Sequence, residues 1–160
     1  MQYTAQALLE TLQMAMPHLQ RLGVEEVNFR PAPGKWSKKE ILGHLLDSAC
    51  NNQQKFVRAL IAPDGHVDFV GYRQNEWVAI QGYQSASWDA LLQLWYHYNV
   101  QLAHFIAQIP EESRGNTISI DGVGPFRIDF IAPDYVEHLR HHLKAIIPDA
   151  GIESKFLNLY

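Results

Sequence analysis

The chain has 160 residues, 47% of them hydrophobic and 19% charged, and its formal net charge is −4 with histidine neutral. This balance is that of a globular chain and argues against disorder. It contains no run of Lys or Arg, which argues against a nucleic-acid or anionic-membrane partner. Four long segments carry helical periodicity. Ala5, Leu8, Leu9, Leu12, Ala15, Met16 and Leu19 predict a first helix from about Thr4 to Leu22, stopped at Gly23 and kinked or divided at Pro17. The segment Arg30-Pro31-Ala32-Pro33-Gly34-Lys35 is a breaker cluster that no regular element crosses.

A capping box, Ser37 followed by Glu40, marks the start of a second helix expected to reach about Ile61 before Pro63-Asp64-Gly65. Between Val67 and Ser85 the pattern is broken, with room for a short helix around Gln74–Gln81. Ser87 reads as the cap of a third helix, about Trp88 to Ile109, stopped at Pro110. Thr117-Ile118-Ser119-Ile120 and Phe126-Arg127-Ile128-Asp129-Phe130 flank Asp121-Gly122-Val123-Gly124-Pro125, where a small hairpin is expected. The fourth helix should start between Asp129 and Pro133, because proline suits a first turn, and end near Ile147-Pro148. The expected fold class is all-α: one helical domain over residues 1–160, built as a four-helix bundle with a short hairpin or irregular segment before its last helix. The single Cys50 excludes an internal disulfide and fits a reducing compartment. No apolar run approaches the roughly 18 residues of a membrane span, and no charged-then-apolar leader opens the chain, so the expected location is the cytoplasm.

The chemistry-bearing residues are histidines. His138, His141 and His142 lie at i, i+3 and i+4 in the fourth helix, beside the apolar arc of Val136, Leu139, Leu143, Ile146 and Ile147. At about 100° per residue, His138 and His142 are only about 40° apart at one edge of that arc, whereas His141 points about 100° away from His142. The i, i+4 pair is therefore the better candidate for two ligands of one cation; the alternative is two histidines edging a helix and bonded to water. In the second helix His44 lies off the apolar arc, alongside Glu40, Asp47, Ser48 and Asn51. Such a polar line is either ordinary surface or the wall of a pocket, and Asp47 or Asn51 could orient the His44 ring through its second nitrogen. If the two helices meet, three histidines form a metal site with a position open to water or substrate. His18, His66, His97 and His104 are too scattered to share a cation, and Cys50 faces away from His44. The aromatic residues Trp77, Trp88, Trp95, Tyr96 and Tyr98 read as core rather than a base-stacking platform. No phosphate loop, serine elbow or HExxH motif is present.

These residues also carry a family resemblance. Pro33-Gly34-Lys35-Trp36-Ser37, Glu40-Ile41-Leu42-Gly43-His44-Leu45, Asp47-Ser48, Asn51-Asn52 and Phe56 resemble the first signature of the DinB/YfiT-like family. Asp134-Tyr135-Val136, His138-Leu139 and His141-His142-Leu143 resemble its second, and Gln74, Trp77-Val78, Trp88, Leu91-Leu92 and Leu94-Trp95 resemble its middle. The resemblance implies a four-helix bundle, commonly a homodimer, holding one divalent metal ion, often nickel or zinc, on three histidines. Carried over by position these are His44, His138 and His142, while His141 matches a frequent histidine that is not a ligand. Pro133 departs from the usual start of the last helix.

Family activities include metal-dependent hydrolysis and S-transfer from a low-molecular-weight thiol. Three neutral imidazoles would leave the ion its full charge and an open position, able to activate water or a small thiol toward a small-molecule substrate. Asp47 is the candidate general base, and Arg58, Arg73 and Arg140 are candidates to meet a thiol's carboxylates. The competing expectation is a non-catalytic metal- or ligand-binding helical dimer.

Overall fold

The computed structural model describes residues 1–157. Helix α1 (Gln2–Leu19) leads through the short α2 (Val24–Asn28) to α3 (Lys38–Ile61) and strand β1 (His66–Phe69). Then follow α4 (Gln74–Gln81), α5 (Trp88–Ala107), strands β2 (Thr117–Ile120) and β3 (Val123–Arg127), and α6 (Ile128–Ile146). The long helices α1, α5, α3 and α6 pack in that order around a square, so α1 and α3 face each other across its diagonal. The interior is filled by the stripes that set the helical period, among them Leu8, Leu12, Leu42, Leu45, Phe56, Trp95, Leu102, Ile106, Leu139 and Leu143, all fully buried. No helix among the described residues is long and apolar enough to cross a membrane.

Local chemistry explains where the elements begin and end. Ser37 Oγ accepts the Glu40 N–H while the Glu40 carboxylate accepts the Ser37 N–H, so both halves of the capping box form. Arg30 donates to the same carboxylate and ties the preceding loop to the start of α3. Pro17 sits in the last turn of α1, which simply ends two residues later and is not divided. The short helix expected around Gln74 is α4, closed by Gly82 in the left-handed conformation.

Two expectations need correction. The molecule is mostly helical but not all-α, because a three-stranded sheet lies beside the bundle. The hairpin β2–β3 turns through Asp121 and Gly122, both at positive φ, as a two-residue connection favours. What the chain pattern did not announce is β1, which pairs parallel with β2, His66 opposite Thr117 and Phe69 opposite Ile120. Second, α6 starts at Ile128, so Pro133 lies in its interior rather than its first turn. Pro133 is exposed, and a carbonyl left without its helical donor there can turn to water.

Candidate metal centre

Helices α3 and α6 run antiparallel: His44 meets His142 and His138, and Ser48, one turn on, meets His138 from the other side. The polar line of α3 is buried, not surface, and Ser48, Asn52 and Lys55 on this side of the helix line a cavity. His44, Asp47, Ser48, Asn51, Asn52 and Lys55 are all buried on it. The Trp36 ring, just before the α3 cap, packs 5.0 Å from the His44 ring. One ring nitrogen from each of His44, His138 and His142 falls within 4.8 Å of the others. His141 is exposed and outside this cluster, although its ring stands 5.2 Å from that of His142.

The geometry fits a small cation. His44 Nε2 and His138 Nε2 are 3.4 Å apart. Metal–nitrogen bonds of about 2.0–2.1 Å at a tetrahedral centre put two ligand nitrogens about 3.3–3.4 Å apart. Protonation is also suitable. Burial above all, then the neighbouring charge of His142, pulls His44 down to about 3. Burial likewise lowers His138 to about 2, with His142, His44, His141 and Lys55 adding to it, and lowers His142 to about 4 with help from His141. All three imidazoles are therefore neutral near pH 7, the form that binds a metal.

The ring nitrogens facing away from the cluster meet hydroxyls. Tyr72 Oη lies 3.4 Å from His44 Nδ1, and Ser48 Oγ lies 3.4 Å from His138 Nδ1. Ser48 and Tyr72 are themselves hydrogen-bonded, so a two-hydroxyl bridge joins the outer nitrogens of two histidines. With each Nε2 turned to a cation, each Nδ1 carries a hydrogen that it can donate to its hydroxyl oxygen. Tyr72 is placed by the sheet. Asp121, in the β2–β3 turn, accepts the Gly71 N–H at 3.0 Å, and a Cβ on Gly71 would come within 2.4 Å of the same carboxylate.

Asp47 is three residues beyond His44 but its carboxylate is engaged elsewhere. Its Oδ1 accepts the Tyr83 hydroxyl at 2.6 Å and the Gln81 amide at 3.3 Å, and Oδ2 is buried with no hydrogen-bond partner. Burial raises the carboxyl pKa, and the hydrogen bonds from Tyr83 and Gln81 oppose that. Tyr83 reaches this position because Gly43 has no side chain: a Cβ there would stand 2.2 Å from the Tyr83 ring.

A cavity of about 490 Å³ opens beside the histidines. Its wall includes Ser48, Asn52 and Lys55 from α3, Tyr72, Asp121, the α6 residues Asp134, His138 and His142, and Phe156 from the C-terminal segment. Asp47 does not line it. Nor do the three arginines singled out above: Arg140 is bonded to Glu137 and Thr11, Arg73 pairs with Glu76, and Arg58 lies over the Phe69 ring. The cation on the wall is Lys55, which the sequence reading missed. Its only signal was its place eleven residues after His44, on the same helical face as His44, Ser48 and Asn52. Burial pulls its ammonium down to about 8, against the opposing charge of Asp134.

The remaining histidines serve elsewhere or have no part in the cluster. His66 Nδ1, for example, is 2.8 Å from Thr117 Oγ1 across the β1–β2 pair. Cys50 is a free, half-buried thiol outside the cluster.

A helical bundle with a histidine trio, buried at His44 and half-buried at His138 and His142, beside a cavity of this size defines a candidate metalloprotein class. The DinB superfamily model matches residues 7–146, and the chain belongs to that superfamily. Among solved structures it is similar to YfiT from Bacillus subtilis, with a TM-score of 0.80 and 15% identity. The match covers 92% of this chain and 83% of that one. YfiT is described as a probable metal-dependent hydrolase with an unusual four-helix bundle topology. No curated protein matches the sequence.

Proposed function

We propose that this protein is a metal-dependent hydrolase, with His44, His138 and His142 as the ligands of one divalent ion, zinc or nickel. The 3.4 Å separation of His44 Nε2 and His138 Nε2 carries this reading, because it matches a tetrahedral ligand pair. An ion held there supplies Lewis acidity, lowering the pKa of water toward about 7 and polarising a substrate carbonyl. The chain's own residues do the rest. Three neutral imidazoles leave the ion's charge undiminished, and the Ser48–Tyr72 bridge fixes two of the rings. The cavity lies within the size range of small-molecule sites, and Phe156 and Tyr135 give its wall apolar surface.

The YfiT description favours hydrolysis over S-transfer, since both reactions would use the same acidity. The test is metal content after supplementation, together with turnover of simple esters and of an electrophile offered with small thiols. Stoichiometric metal, ester turnover abolished by chelator, and loss of both in His138→Ala support the reading. Failure to retain metal removes the centre, and turnover only when a thiol is present reassigns it to S-transfer. Bound metal with no turnover of either kind leaves a binding protein. We further propose a homodimer, supported by family resemblance alone; light scattering at micromolar concentration giving the mass of one chain would refute it.

A further inference from the structure

Resting on the hydrolase reading, we propose that the substrate is a small carboxylate whose reacting group faces the three histidines while the Lys55 ammonium, farther along the same cavity, holds its anionic end. Two facing polar stripes suggest this. On α3, His44, Ser48, Asn52 and Lys55 fall within about 80° of one another, and on α6, Asp134, His138 and His142 do the same. The stripes run in opposite directions, so the histidines define one end of the cavity and Lys55 with Asp134 the other.

Lysine is seldom buried without a reason, because taking its ammonium out of water is costly. Lys55 is only 6% exposed, yet it lines the cavity, with Nζ 5.6 Å from the centre of the Phe69 ring and in the field of Asp134. An ammonium carries three donors, so it can hold a substrate oxygen beside a protein partner. Among the described residues lining the cavity, the acids are Asp121 and Asp134. Asp121 already accepts the Gly71 N–H. With a divalent ion at the histidines, that ion and Lys55 outweigh the two carboxylates, and the cavity attracts an anion.

The spacing narrows the class. Asp134 is about 6 Å of helix from His138, and Lys55 about 10 Å from Ser48. The reacting group and the carboxylate are therefore separated by a short chain, not adjacent as in a 2-oxo acid.

Calorimetric titration of the zinc-loaded protein with succinate, glutarate, adipate and pimelate, each against the monocarboxylate of the same chain length (butyrate, pentanoate, hexanoate and heptanoate), tests this. Each monocarboxylate can meet the ion or Lys55 but not both, and only the diacid has a carboxylate for each. One diacid of the series should bind about tenfold or more tightly than its monoacid, the value of a charge-assisted hydrogen bond. Lys55→Met should remove that difference and Lys55→Arg should keep part of it. If Lys55→Met unfolds, Lys55→Met/Asp134→Asn, which removes the opposing charge as well, carries the same test. Equal affinities throughout the series, or a preference that survives loss of the ammonium, overturn the proposal. Turnover of neutral esters and of the monomethyl esters of the same diacids is measured alongside. Turnover without diacid preference defeats the carboxylate site alone, and Lys55-dependent preference without turnover defeats the hydrolase reading alone.

Discussion

Two hydroxyl groups, from Ser48 and Tyr72, stand behind the histidine nitrogens that face away from the cluster. Groups in that position orient a ligand ring and fix its tautomer, and removing one typically lowers metal affinity about 10–100-fold. Ser48→Ala and Tyr72→Phe should each do so, measured by competition with a chelating dye, with far-ultraviolet circular dichroism unchanged. Affinity equal to wild type in both variants would show that packing alone holds the rings. Gly43 makes a different kind of contribution. Any side chain there displaces the Tyr83 ring and with it the hydrogen bond to Asp47, so Gly43→Ala should cost about 1–3 kcal/mol in urea denaturation. Both roles were only half readable. The glycine, serine and aspartate stood in a recognisable motif, but their partners Tyr72 and Tyr83 lie 24 or more residues away in segments without periodicity. The same holds for Lys55, which looks like a surface lysine until Phe69 and Asp134 are placed beside it.

At the scale of elements, the α3–α6 pair holds three histidines neutral at a cost that depends on pH. In the unfolded chain each protonates near its ordinary value of 6.5, whereas in the folded metal-free protein burial keeps them neutral to about 4 or below. Between those values the unfolded state binds more protons, so stability must fall as pH falls, by up to about 1.4 kcal/mol per pH unit for each histidine. Melting temperatures of the metal-free protein should therefore drop steadily from pH 6.5 toward pH 4, and less steeply in His138→Gln. A flat profile would mean the rings take up protons without resistance. The elements themselves are largely legible: four helical stripes and the capping box at Ser37 are local signals, and a hairpin follows Thr117, although its turn is Asp121-Gly122 alone and its second strand is Val123–Arg127 rather than Phe126–Phe130. β1 is not, because four residues that pair in parallel with a strand some fifty positions later leave no local trace. The start of α6 was misplaced because proline was confined to a first turn, whereas an exposed helix face tolerates Pro133 farther in.

For the whole molecule, a cation at the histidines would link residues 94 positions apart in sequence and so bind the folded state alone. Zinc at a hundredfold excess over its dissociation constant should add about 2.7 kcal/mol of stability. The melting temperature should rise with zinc in the wild type and stay put in His44→Ala; an equal rise in both would place the zinc elsewhere. That the two helices would meet was an inference from two distant motifs, and only the folding of α3 against α6 shows that they do.

An all-imidazole donor set has one more consequence, this time for the cell. With no thiolate and no carboxylate among the three residues, the cluster offers little chemical basis for choosing among late first-row metals. Affinity then follows the Irving–Williams order, with copper above both nickel and zinc. The occupant is set by which metals the surroundings keep free, so material purified from differently supplemented cultures should differ in metal content while sharing one fold.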